Sequence, residues 1–140
     1  MKKAIVILFL IGALGLIGFF QAAPISPEGF SPRIEISPQS FNFGQVKYGE
    51  VLATEFLVEN RGQAVLEIKK VATSCSCTTA QINNEKTELQ PGEKAVVKVR
   101  YDTGAMGQFH GKGEQERIIY IRSNDPLNPQ REVTIFADVE

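Results

Sequence analysis

At 140 residues, with 43% hydrophobic and 22% charged side chains, the chain is long enough to close one core and too short for two ordinary domains. Its formal net charge is −1, or −3 once Lys2 and Lys3 are set aside (13 basic against 16 acidic residues), so it offers no field to gather phosphate backbones and nucleic acid is not an expected partner. Charges of both signs are scattered, and the nearest thing to a basic cluster, Lys69-Lys70, reads as a solvated strand end.

Met1-Lys2-Lys3 precedes an uncharged apolar run from Ala4 to Phe20. That run is at the lower edge of the length that crosses a bilayer, and longer than the usual apolar region of a cleaved signal peptide. The small pair Ala22-Ala23 has Phe20 or Gln21 at the outer cleavage position and Pro24 just downstream, a poor cleavage context. Residues 1–21 are therefore expected to act as an uncleaved signal anchor, with a signal peptide as the alternative. The two lysines favour a cytoplasmic N-terminus, which makes the cell membrane a partner through this segment and puts the rest outside the cytoplasm. Cleavage would instead leave a secreted or periplasmic protein. Residues 22–32 carry Pro24, Pro27 and Pro32 among small polar residues and read as an extended stalk, leaving 33–140 as the domain.

From Arg33 onward the hydrophobic period is two. Ile34 and Ile36, Phe41 and Phe43, Phe56 and Val58, and Leu66 and Ile68 each alternate with polar residues. So do Ala95, Val97, Val99 and Tyr101, then Ile119 and Ile121, then Val133, Ile135, Ala137 and Val139. Tight-turn residues fall between these runs in Lys47-Tyr48-Gly49-Glu50, Asn60-Arg61-Gly62-Gln63, Gln90-Pro91-Gly92-Glu93 and Asn124-Asp125-Pro126. Seven or more short strands in one domain predict an all-β, antiparallel two-sheet sandwich, with an open barrel as the alternative. Between Asp102 and Gln115, four glycines surround Met106, Phe109 and His110; the spacing matches no phosphate loop and predicts a mobile hairpin end.

Thr73-Ser74-Cys75-Ser76-Cys77-Thr78-Thr79 holds both cysteines. On an extended strand Cys75 and Cys77 share a face with Cα atoms about 6.6 Å apart. Parallel Cβ vectors then oppose a disulfide, so a bond between them needs a bend at Ser76. The strand reading predicts reduced, buried, slowly reacting thiols. Three roles stay open for the pair: small core hydrophobes, a redox couple in an oxidising compartment, or a soft-metal site for Cu(I) or Zn(II). A zinc site would need the single histidine, His110, and a fourth ligand or a second chain. No nucleophile, base and orienting group can be assembled from the sequence, so no catalytic residue, resident cofactor or small-molecule substrate is expected; the expectation is a non-enzymatic, membrane-anchored module for protein interaction or envelope structure, with an unidentified protein as partner.

Several elements occur in a telling order: Phe41-Asn42-Phe43-Gly44-Gln45-Val46, Gly49, Asn60-Arg61-Gly62, Leu66-Glu67-Ile68, Ser74-Cys75-Ser76-Cys77-Thr78, Pro91-Gly92-Glu93 and Ser123-Asn124-Asp125. Together they resemble the bacterial domain-of-unknown-function family 1573 over most of Arg33 to Glu140. The resemblance implies an exported immunoglobulin-like sandwich akin to the Ig-like modules of ciliary and spindle proteins, and no established activity. The family's usual motif has glycine between the cysteines. Serine at position 76 is expected to resist the positive φ of a tight bend, so a disulfide-competent geometry is less secured here.

Overall fold

The computed structural model describes residues 30–140, so the anchor at 1–21 and most of the 22–32 stalk lie outside the described residues. Among the described residues nine strands form two sheets. β1 (Ile34–Ser37), β3 (Val51–Asn60), β7 (Lys94–Asp102) and β5 (Thr78–Ile82) make a four-stranded sheet in the order β1-β3-β7-β5. β2 (Ser40–Val46), β9 (Gln130–Val139), β8 (Gly113–Ser123), β4 (Leu66–Thr73) and β6 (Glu88–Leu89) make a five-stranded sheet in the order β2-β9-β8-β4-β6. All pairings are antiparallel except β2 with β9.

The period-two runs are buried as their alternation requires, because successive side chains of a strand point to opposite faces. Phe56 and Val58 of β3, Val97, Val99 and Tyr101 of β7, Ile119 and Ile121 of β8, and Val133 and Ile135 of β9 meet between the sheets. β2 departs from expectation. It is a parallel edge strand with a register break between Asn42 and Gln45, where Gly44 has φ +71°. Phe41 is 39% exposed and its ring meets Phe43 edge-on with centroids 4.9 Å apart, so Phe41 lies on the rim while Phe43, partly buried, packs against the core.

The two ends of the sandwich differ. At the pole where the chain arrives, Asn60 is fully buried; its amide nitrogen donates to the Ala64 and Leu89 carbonyls, both at 2.8 Å. Its Oδ1 accepts from the Gly62 and Arg33 backbone N–H groups. Gly62 must be glycine because a Cβ there would lie 2.3 Å from the Ser31 carbonyl oxygen. Asp125 closes the same pole by accepting from the backbone N–H groups of Ile34, Leu127 and Asn128. Thus the Asn60-Arg61-Gly62 and Ser123-Asn124-Asp125 elements are fasteners of the β1 start.

The opposite pole holds the β2–β3, β4–β5 and β7–β8 connections. The stretch from Asp102 to Gln115 contains a one-turn helix α1 (Gln108–Gly111) and lies against neighbouring chain. A Cβ on Gly111 would lie 2.8 Å from the Thr103 carbonyl oxygen, and the Tyr48 hydroxyl donates to the Gly104 carbonyl. Here glycine permits close approach of backbones.

Candidate functional site

Cys75 and Cys77 lie at this distal pole, and the chain is bent there, contrary to the strand geometry that predicts two reduced thiols. β4 ends at Thr73 and β5 begins at Thr78, and the Thr78 N–H donates to the Cys75 carbonyl at 3.1 Å, closing a tight turn over Cys75-Ser76-Cys77-Thr78. The Thr73 hydroxyl is within reach of the Cys75 and Thr78 carbonyls, at 3.0 and 2.9 Å. The turn brings the two Cα atoms to 5.2 Å, and the sulfurs are joined as a disulfide. Among the described residues other than glycine, only Asn84 and Glu85 have positive φ. Ser76 therefore makes the bend without the left-handed conformation that glycine would have supplied, and the serine is no obstacle.

The two sulfurs have different surroundings. Cys77 is 3% exposed and belongs to the core, whereas Cys75 is half-buried beside Ser74 and Ser76, which are exposed. The Cys77 backbone N–H donates to Cys75 Sγ at 3.1 Å, and Arg117 Nε donates to Cys77 Sγ at 3.1 Å.

Arg117 is the residue that sequence reading missed. On β8 it is in phase with Ile119 and Ile121, so its side chain starts on the inward face. It is half-buried, with its guanidinium 5.4 Å from the centroid of the Tyr101 ring. Its Nη1 donates to the Glu116 carbonyl and its Nη2 to the Gln115 side-chain oxygen. None of the ion pairs among the described residues includes it. A charge in phase with core isoleucines was a legible signal, since an inward cation requires an anion or a set of acceptors.

Tyr101, below that guanidinium, is 2% exposed and its hydroxyl has no hydrogen-bond partner among the described residues. Burial pushes its phenol above the ordinary value, and the nearby Arg117 charge offsets part of that rise. His110 sits on α1, exposed, and no cluster of three or more His, Cys, Asp or Glu side chains suited to a metal occurs among the described residues. With both sulfurs bonded to each other, the arrangement can do disulfide chemistry.

A second feature adjoins the turn. Among the described residues β5 is the outer strand of its sheet, and the Cys77 carbonyl accepts from the Asp102 N–H, so by alternation Thr79 and Gln81 bond to β7 while Ala80 and Ile82 turn their backbone groups to the side that no described strand occupies. Beside it lies a hollow of about 670 Å³ lined by Glu55, Thr79, Gln81, Lys98 and Arg100.

A family model described as "Protein of unknown function (DUF1573)" matches residues 34–139. The fold is similar to a protein of unknown function from Porphyromonas gingivalis W83, 25% identical with a TM-score of 0.69 over 82% of this chain and 50% of that one. It is also similar to the ASH / PapD-like domain 7 of human CEP192 (11% identity, TM-score 0.59, 84% of this chain and 92% of that one). A third likeness is to the VesB protease of Vibrio cholerae (16% identity, TM-score 0.55, 79% of this chain and 32% of that one). The chain thus spans half the length of the Porphyromonas protein and about a third of the protease. No curated protein matches the sequence.

Proposed function

The chain belongs to the DUF1573 family, and from that premise we propose that its domain is a non-enzymatic interaction module, held at the outer face of a membrane by its N-terminal apolar run and docking an extended segment of another protein. The observation that carries the docking element is β5. Thr78-Thr79-Ala80-Gln81-Ile82 is an uncharged edge strand free of proline, and its register with β7 is unbroken. Edge strands elsewhere in this sandwich are blunted: β6 has two residues, β1 has four, and β2 is bulged at Gly44. An open edge of this kind pairs with an added strand, whose side chains would then reach the mixed charges of the adjoining hollow. The sandwich also recurs as a whole PapD-like domain in CEP192 and as about a third of the VesB chain, as expected of a scaffold used in varied company.

Ala80→Pro removes a backbone N–H that β7 does not use, so the domain should fold while strand addition fails. A photo-cross-linker at Gln81 of the full chain, in its own host, should give one protein adduct that Ala80→Pro abolishes. An adduct that survives this change with an unaltered circular dichroism spectrum would remove β5 as the docking element. For the anchor, N-terminal sequencing of membrane-extracted protein should begin at Met1; a start near Ala22 or Pro24 would make the protein a secreted one.

A further inference from the structure

We propose that Cys75–Cys77 is an exchangeable disulfide that reacts with an external dithiol, with Cys75 as the sulfur attacked and Cys77 as the leaving thiolate, held by Arg117. The inference stands independently of the docking role. Its starting point is the half-buried guanidinium of Arg117, which has no carboxylate partner among the described residues and spends its Nε–H on a neutral disulfide sulfur. Its acceptors are all neutral, the Glu116 carbonyl, the Gln115 side-chain oxygen and Cys77 Sγ, and of these the one that can become an anion is Cys77 Sγ, 3.1 Å away. An adjacent arginine lowers a thiol pKa and favours the reduced, ionised form.

The asymmetry of the turn sets the direction of attack. Cys75, half-buried between two exposed serines, is the more accessible of the two, and the buried Cys77 has the cation. A thiolate approaching from solvent meets Cys75 Sγ first, in line with a bond whose far sulfur is already solvated by a positive charge. In the first step the incoming thiolate forms a bond to Cys75 Sγ, the Cys75–Cys77 bond breaks, and its electron pair remains on Cys77 Sγ beside Arg117. In the second, the other thiolate of the dithiol attacks its own sulfur in the mixed disulfide and displaces Cys75, which takes a proton from water. The dithiol loses two electrons and becomes a disulfide; the protein gains them as a Cys75 thiol and a Cys77 thiolate. Leaving-group stabilisation speeds the first step.

Three measurements on the full chain in mild detergent test this. Dithiothreitol should reduce the folded protein without urea, and glutathione trapped on the partly reduced protein should map by peptide mass to Cys75. The reduced protein, followed by thiolate ultraviolet absorbance, should show one thiol titrating at least about one unit below the ordinary value near 8.5. Arg117→Gln should raise that titration so that thiolate at a fixed pH below it falls about tenfold, as the loss of an opposite charge at this distance implies, and Arg117→Lys should restore part of the effect. Adducts on Cys77, reduction only in urea, or an Arg117→Gln titration that matches the parent would each overturn the proposal. Should Arg117→Gln fail to fold, the glutathione mapping and the titration of the unsubstituted protein decide by themselves.

Discussion

Asn60→Ala should be the most damaging single polar change in the domain. The side chain is fully buried at the end of β3 and makes four hydrogen bonds, two donated to the Ala64 and Leu89 carbonyls and two accepted from the Gly62 and Arg33 N–H groups. At a net contribution of about 1 kcal/mol per bond the loss is about 4 kcal/mol, and buried groups left unpaired add to it unless water enters the space. Against a total stability of about 5–15 kcal/mol for a domain of this size, that is a large fraction. The melting temperature should fall by roughly 15–30 °C, at about 4–8 °C per kcal/mol. The assay is urea unfolding of the full chain in mild detergent, followed by far-ultraviolet circular dichroism, with the two proteins compared at equal slope. A loss below about 1 kcal/mol would show that the four partners find other acceptors and donors, and the description of Asn60 as the fastener of the proximal pole would be wrong.

Two further outcomes follow from the same pole. Burial by itself would push the Asp125 carboxyl up, but the backbone N–H groups of Ile34, Asn128 and Leu127 outweigh it and hold the group below its ordinary value of 3.8. A depressed folded-state value means that the stabilisation is complete above the ordinary carboxylate range and disappears as pH falls through the folded value. Asp125→Asn should therefore cost about 2 kcal/mol at pH 7, and the difference from the parent should shrink below about pH 4; a penalty that does not change with pH would deny the carboxylate this role. Gly62→Ala should disorder the segment before β1, because its methyl would sit 2.5 Å from the Arg33 backbone nitrogen. Hydrogen exchange at Arg33 and Ile34 should rise sharply in that variant, and unchanged protection there would show that the backbone relaxes at little expense.

The inward faces of the long strands were legible in the sequence. Phe56 and Val58, Val97 to Tyr101, Ile119 and Ile121, and Val133 to Val139 are spaced by two, and the alternation of side chains along a strand is a property of the local backbone that needs no partner to be seen. The turns were legible for the same local reason, since Gly62 and Asp125 sit where the chain reverses. Which strands lie at an edge was not legible, because period two is the same for a central strand and a rim strand. Phe41 therefore reads as core and lies exposed on a parallel edge, with only Phe43 of the pair packed against the core, while β5, with its mixed Thr-Thr-Ala-Gln-Ile, did not stand out as a strand. The thiol motif failed for a related reason. Whether Cys75 and Cys77 lie on a strand or across a turn depends on where β4 leaves one sheet and β5 joins the other, which is a matter of pairing with Ile119 and Tyr101 far along the chain. Arg117 could have been singled out by its phase with Ile119, but its contact with Cys77, forty residues away, exists only once the two sheets close on each other.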